Sequence, residues 1–272
     1  MNPASLLHFN LHKTPFTKEI NDSDLWLPPS KLPLVDALEA AIRARESVLL
    51  VGDPGVGKTC ILRTLRHRLS HTDFRLTYCH NATLGKRDFY RQLCAALGLT
   101  PKATAASLFY AVSSHVEELT KENAHPVFIL DEAHLLHQST LDHLHILLNY
   151  AWDSRALLTL VLVGLPDLAD RLQLRHNRSL ESRLAFRRKI GPLSDEDTAD
   201  YLRFRLQAAG NKSEIFSRDA VVYLHEATQG LLRDLDRLAA AALDVAAARG
   251  RDRVERDIIQ HILAVDVQYQ QH

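Results

Sequence analysis

Gly52-Asp53-Pro54-Gly55-Val56-Gly57-Lys58-Thr59 follows the apolar run Ser47-Val48-Leu49-Leu50-Val51 and leads into the helix-like Cys60-Ile61-Leu62-Arg63-Thr64-Leu65. A buried strand, a GxxxxGK[ST] loop and a helix in that order predict a phosphate-gripping loop. Glycines let successive backbone N–H groups curl around an anion, because a Cβ would clash at the dihedrals such a curl needs. The helix behind the loop offers its unpaired N–H groups and positive dipole end to the same anion. Lys58 is expected to reach the β- and γ-phosphates, and the Thr59 hydroxyl to hold Mg²⁺. The expected nucleotide-binding run is therefore Gly52, Asp53, Pro54, Gly55, Val56, Gly57, Lys58, Thr59 and Cys60. The cysteine reads as a small buried filler and not as a reactive thiol.

A second motif specifies the chemistry. Pro126-Val127-Phe128-Ile129-Leu130 is an unbroken apolar run, as a strand buried on both faces requires, and Asp131-Glu132 closes it. Asp131 is expected to complete the Mg²⁺ shell through water. Glu132 is then the group to orient and polarise the water that attacks the γ-phosphate in line. Strand 74–79 falls between the two motifs in sequence, which suits an inserted-strand sheet in which the Asp-bearing strand is not adjacent in sequence to the loop strand. Asp131-Glu132-Ala133-His134 also spells a helicase box, but such helicases need two sheet domains and this chain is too short for them.

Bulk properties set limits. The chain has 272 residues, 46% hydrophobic and 24% charged, enough for a large core and ordinary for a globular enzyme. Lys+Arg and Asp+Glu both number 33, so a nucleic-acid or membrane partner would have to be held by a local patch and not by net charge. Three cysteines (Cys60, Cys79, Cys94) with no CxxC pair suit a reducing cytosol. With no span-length apolar run and no signal-peptide pattern, a cytoplasmic, unanchored protein is expected.

Strands alternate with helices as far as Pro192. Helices are expected through Leu34, Leu38, Ala41 and Ile42, behind the phosphate loop to about Leu69, and over 87–97, 105–119 and 139–151. Strands are expected at 47–51, 74–79, 126–130 and 157–163, with a short basic one around Arg187–Ile190. Strands joined by helical crossovers imply a parallel sheet covered on both faces. Beyond Pro192, Ser194-Asp195-Glu196-Asp197 is a helix-opening signature, and Gly210, Gly230 and Gly250 punctuate further helices with no strand among them. The expected organisation is a lead-in over 1–30, anchored to the core by Phe9, Phe16 and Trp26, then an α/β nucleotide-binding core over 31–193. A helical domain over 194–266 and a polar tail over 267–272 complete it.

These motifs resemble the AAA+ ATPases, and among them the ExeA-like group, which includes transposition helper ATPases similar to TnsC, TniB and the phage Mu B protein. The resemblance runs over nearly the whole chain and is most specific at Phe9–Phe16, the two nucleotide motifs, Leu160–Leu168, Pro192–Ser194 with Tyr201–Gly210, and Gln229–Leu238. It implies a three-layer P-loop α/β fold with a parallel sheet, followed by a small all-α lid. It also implies ATP and Mg²⁺ as cofactors. Position by position, Arg183 matches the arginine finger that reaches a neighbouring subunit's γ-phosphate, and Arg233 the sensor arginine that reports nucleotide state to the lid. Leu165 departs from the pattern, standing where ExeA-like proteins usually place Gln, in the position that senses the γ-phosphate.

Two bland readings stay beside these. Arg175, Arg178, Arg183, Arg187 and Arg188 form a basic run that a solvated face would also produce. Lys86, Arg87 and Arg91 beside Tyr90, with Lys102 nearby, sit where related ATPases line a channel for a phosphate backbone, though a solvated helix face fits equally. His134, His137, His143 and His145 lack a third ligand at a recognisable metal spacing. The resemblance implies an ATP hydrolase that forms a ring or helical oligomer with ATP on double-stranded DNA and recruits or regulates a transposase, hydrolysis driving disassembly. The alternative within the same group is a secretion-associated ATPase that acts on envelope assembly without DNA. Members of that kind carry a membrane span and a cell-wall-binding extension, and their absence before His272 favours transposition. A nucleotide-dependent scaffold with negligible turnover is the third possibility.

Overall fold

The computed structural model describes residues 1–80, 85–100, 104–150 and 152–269. Its helices are α1 Pro3–His8, α2 Leu32–Arg43, α3 Lys58–Arg68, α4 Lys86–Ala96, α5 Ala105–Lys121, α6 Gln138–Leu147, α7 Asp167–Gln173, α8 Arg178–Glu181, α9 Asp195–Ala208, α10 Arg218–Thr228, α11 Leu232–Ala248 and α12 Arg256–Tyr269. Its strands are β1 Val48–Gly52, β2 Phe74–Cys79, β3 His125–Leu130, β4 Thr159–Gly164 and β5 Phe186–Ile190. The chain forms two compact units. One gathers Met1–Leu32, Pro54–Cys60 and Gly191–His272, and the other Pro33–Asp53 and Ile61–Ile190.

The second unit is a five-stranded sheet in the order β2-β3-β4-β1-β5, with every neighbouring pair parallel. β1, β3 and β4 are buried at every residue, which is why their sequences are almost wholly apolar, with His125 and Thr159 as buried polar exceptions at the strand starts. β2 lies at one edge and alternates in burial; β5 lies at the other and exposes Arg187, Arg188 and Lys189. Charge on an edge strand discourages pairing with another chain. The Arg188 guanidinium also lies over the Phe186 ring, 4.5 Å from its centroid. β4 is the strand inserted between the loop strand and the carboxylate strand. α5 begins at Thr104, whose side chain accepts from the Ser107 N–H in a reciprocal cap, and buries Leu108, Val112, Val116 and Leu119, one stripe at helical spacing.

Boundaries differ from the expectations where burial and pairing part company. Leu157 and Leu158 are buried yet precede the ladder, which starts at Thr159. Apolarity reports burial, whereas a strand needs a hydrogen-bonded neighbour. The helix expected over 139–151 stops at Leu147, and in α2 the buried stripe starts at Val35, with Leu34 only half-buried.

The first unit has its own core. Phe9, Leu11 and Phe16 of the N-terminal segment pack in one cluster with Leu206, Phe216 and Leu235 of the later helices. Trp26 lies 5.3 Å from the Tyr201 ring. Buried Arg205 fastens the segment, donating through Nε to the Pro15 carbonyl at 2.6 Å and through Nη2 to that of Thr17 at 3.0 Å. Ser194 caps α9 by accepting from the Asp197 N–H while the Asp197 side chain accepts from the Ser194 N–H. No helix among the described residues is long and apolar enough to cross a membrane.

Candidate nucleotide site

β1 hands over at Gly52 to a loop that turns twice through the left-handed region, at Gly55 (φ +84°) and Gly57 (φ +95°). A Cβ on Gly55 would sit 3.1 Å from the Arg233 Cβ and 3.5 Å from its backbone N; one on Gly57 would sit 3.0 Å from the Leu232 Cδ1. These glycines therefore provide both the backbone curl and the room for the first turn of α11 to close on the loop. Val56 is buried beneath. Lys58 opens α3 and is buried, Thr59 is exposed, and Cys60 is half-buried and not the fully buried filler its neighbours suggested. Asp53 is half-buried and Pro54 exposed. Arg233 is the second residue of α11; its backbone meets the loop while its side chain is exposed.

The carboxylate pair belongs to the sheet unit. Because the sheet is parallel, β1 and β3 end at the same edge, with the end of β4 between them. Asp131 follows β3 directly, donates its N–H to the Cys79 carbonyl at 2.9 Å and is 6% exposed. Its Oδ2 accepts from the Tyr78 hydroxyl at 2.7 Å and its Oδ1 from the Glu132 N–H at 2.9 Å. Burial, then the hydrogen bond to Asp131, pushes the Tyr78 phenol well above its ordinary pKa, so it stays a donor. Glu132 differs sharply: its backbone is left-handed (φ 53°, ψ 34°) and its side chain is 46% exposed. One carboxylate is buried and doubly hydrogen-bonded, and the other is half-exposed, its Oε2 3.6 Å from His134 Nδ1.

These donors fit a magnesium nucleotide. A curled glycine loop with a helix behind it suits phosphates. A buried carboxylate with lone pairs left on both oxygens, and a hydroxyl on the first turn of α3, are the hard oxygen ligands Mg²⁺ prefers.

The remaining candidates stand in varied settings. Arg183 donates through Nη2 to Asp153 Oδ2 at 2.7 Å and through Nη1 to the Ser179 carbonyl at 2.8 Å, while its Nε is buried without a hydrogen-bond partner. Lys86 Nζ donates to His143 Nε2 at 3.1 Å; burial, then this lysine, lowers the His143 pKa. Arg87 is exposed, and Lys102 lies outside the described residues. The Leu165 N–H points to His134 Nδ1 at 3.4 Å. Sequence reasoning missed Tyr78 and Asp153 and weighed His134 only as a metal ligand, since nothing in their local patterns names a partner; Tyr78 shares the apolar face of strand 74–79 in sequence yet is exposed in the structure.

Comparison with known proteins places this geometry. The AAA domain family matches residues 42–172. General secretion pathway protein A of Aeromonas hydrophila is 34% identical over 209 residues, 76% of this chain. The chain spans only 38% of the length of that relative. Among solved structures, Drosophila ORC bound to DNA superposes with a TM-score of 0.72 at 20% identity, over 98% of this chain and 66% of that one. Cdc6p from Pyrobaculum aerophilum gives 0.67 at 18%, over 86% and 68%. At such identities the likeness shows the fold. Residues 42–172 match the AAA domain family, and the chain has the P-loop AAA+ fold, a parallel-sheet core followed by a helical lid.

Proposed function

We propose that this protein is a Mg²⁺-dependent ATPase of the cytoplasm that oligomerises with ATP on double-stranded DNA, recruits or regulates a transposase, and is released by hydrolysis. The observation that carries the hydrolytic part is the unequal carboxylate pair, Asp131 buried and doubly hydrogen-bonded beside a half-exposed Glu132. The loop N–H groups and Lys58 hold the triphosphate, and Thr59 and Asp131 would hold the metal. When bound there, the metal would supply charge neutralisation to the phosphates. Glu132 orients the attacking water and takes its proton as the oxygen attacks phosphorus and the bond to the leaving diphosphate breaks. Arg183 of one subunit stabilises the transition-state charge in its neighbour, and Arg233 links nucleotide state to the lid. ATP over GTP rests on the resemblance to ExeA-like ATPases.

ATP bridging two subunits favours the assembled state by its differential affinity, and hydrolysis removes that advantage. The DNA part rests on the resemblance to transposition helpers and on the basic residues Lys86, Arg87 and Lys102, of which Arg87 is exposed at the start of α4. Such contacts are to phosphates, hence salt-steep and weakly sequence-selective. A second reading, a secretion-associated ATPase that binds no DNA, is favoured by the 34% identity to general secretion pathway protein A.

The deciding experiment uses Glu132→Gln, which traps the ATP state, with labelled double-stranded DNA, with and without ATP, across a salt series. Tight, ATP-dependent binding that weakens steeply with salt supports the transposition reading. Absence of binding at low salt, with nucleotide bound, removes DNA and leaves the secretion reading.

A further inference from the structure

Arg205 fastens the N-terminal segment with only one edge of its guanidinium. Nε and Nη2 form the side edge, which the Pro15 and Thr17 carbonyls occupy at 2.6 and 3.0 Å. The end edge, Nη1 with the second hydrogen of Nη2, makes no hydrogen bond among the described residues. The residue is only 5% exposed, and no described carboxylate lies within ion-pair distance of it. One face of the guanidinium is covered by the Tyr201 ring, 5.7 Å away at its centroid. The Asp236 carboxyl feels this charge but is bonded to the Tyr201 hydroxyl instead, at 2.6 Å. A buried cation without an anion is costly, and a guanidinium edge with two parallel N–H groups matches a carboxylate.

Arg205 lines an open cleft of about 390 Å³ between α9 and the segment from Lys13 to Asp24. Ala208, one turn further along α9, lines it too, so no long side chain from that position covers the guanidinium. Lys13 stands at the same cleft, bonded to Asp24 at 2.5 Å, with further N–H groups to give. Glu19 and Asp24 also line it, and their charge penalises a dianion more than a monoanion. None of the lining residues belongs to the phosphate loop.

We propose that this cleft binds a carboxylate, held end-on by Arg205 and met by Lys13. A small organic acid and the C-terminal carboxylate of a peptide offer the same planar monoanion. Either one gives Arg205 the anion that its own chain does not supply, and braces the N-terminal segment against α9. The inference is independent of the ATPase reading.

Trp26 provides the readout, because its ring lies 5.3 Å from that of Tyr201, one turn before Arg205 on α9. A Trp152→Phe background leaves Trp26 as the one tryptophan of the full chain. Titration with acetate or with acetyl-triglycine should change its fluorescence saturably, and acetyl-triglycine amide should not. A response to acetate shows that a free acid suffices, whereas a response to acetyl-triglycine alone identifies a peptide terminus. Ala208→Leu fills the cleft without touching the Arg205 hydrogen bonds and should weaken binding at least about 10-fold, the worth of one charge-assisted hydrogen bond. Arg205→Lys, which keeps the charge but loses the fork, should weaken it similarly, and Lys58→Ala should leave it unchanged. No saturable response to either acid, equal binding of the amide, or parent-like binding in Ala208→Leu overturns the proposal. Binding lost in Lys58→Ala but kept in Ala208→Leu also overturns it and moves the anion to the phosphate loop.

Discussion

The Arg183 guanidinium is tied to Asp153 of its own chain, Nη2 to Oδ2 at 2.7 Å, in a segment where both Trp152 and Asp153 adopt positive φ and the Trp152 side chain is wholly exposed. An arginine that must serve a neighbouring subunit has first to leave this partner. A half-exposed ion pair of this kind contributes at most about 1 kcal/mol, roughly a 5-fold change in an equilibrium.

Releasing Arg183 should therefore be easy. Asp153→Asn is expected to raise ATP turnover up to about 5-fold at low protein concentration, and to leave it unchanged when assembly is saturated. Arg183→Ala should lose at least about 100-fold, consistent with finger contributions elsewhere. Mixing Arg183→Ala with Lys58→Ala subunits should restore turnover, since each supplies what the other lacks. No recovery at any mixing ratio would remove Arg183 from the reaction.

Tyr78→Phe isolates one donor to the Asp131 carboxylate. The residue is half-exposed and the ring is kept, so little apolar packing is lost and only the hydrogen bond to Asp131 goes. A loss of roughly 1 kcal/mol by urea unfolding is expected. A loss of 3 kcal/mol or more would mean the phenol has a packing role the structure does not show.

Two buried groups give opposite acid responses. Burial, with Arg45 adding to it, lowers the His125 pKa to about 4, its Nε2 being 2.9 Å from the Thr159 hydroxyl. Between pH 6.5 and 4 the unfolded chain binds a proton there and the folded chain does not, so this contribution is full above 6.5 and is lost on acidification. Burial raises the Asp236 carboxyl to about 6, although the Tyr201 hydroxyl donates to its Oδ1 at 2.6 Å. Here the folded chain takes the proton first, so stability rises as pH falls from about 6 to about 4 and the penalty is complete above 6. Asp236→Asn should stabilise the protein at pH 7.5 by up to about 3 kcal/mol and leave it unchanged at pH 4. His125→Gln should flatten the loss between pH 6.5 and 4. Urea titrations at five pH values check both, and parallel curves for all three proteins would refute the assignments.

Gly55→Ala tests the loop's approach to α11. The added Cβ meets the Arg233 Cβ at 3.1 Å on a backbone at φ +84°, so both turn and neighbour must yield. Nucleotide affinity should fall at least 10-fold, read by equilibrium dialysis, and Thr59→Ala should lower the apparent affinity for Mg²⁺ with smaller effect on nucleotide alone. Unchanged affinity in Gly55→Ala would show that the curl is not what binds.

Much of the fold was legible because its signals are local. Unbroken apolarity marked β1, β3 and β4, the spacing of Ser194 and Asp197 marked the start of α9, and Gly210, Gly230 and Gly250 marked the breaks between the later helices. The boundaries were less legible. Leu157 and Leu158 look like strand because they are buried, yet they lack a ladder partner. Leu34 looks like the inner face of α2, yet the helix turns Val35 inward.

By itself the sequence determined the phosphate loop, the two carboxylates behind a buried strand and the alternation that makes a parallel sheet, because backbone dihedrals, burial periodicity and residue chemistry act within a few neighbours. Only the tertiary structure decided which side chains share an environment. Tyr78 and Asp131 are 53 residues apart, and Gly55 and Arg233 are further apart still. His134 meets Leu165 across 31 residues, and Arg183 meets Asp153 across 30. Such partners are set by strand order and by the angle at which helices return, and no local pattern encodes either. The chemistry of the site is written in short runs of chain, while its control is written in contacts between them.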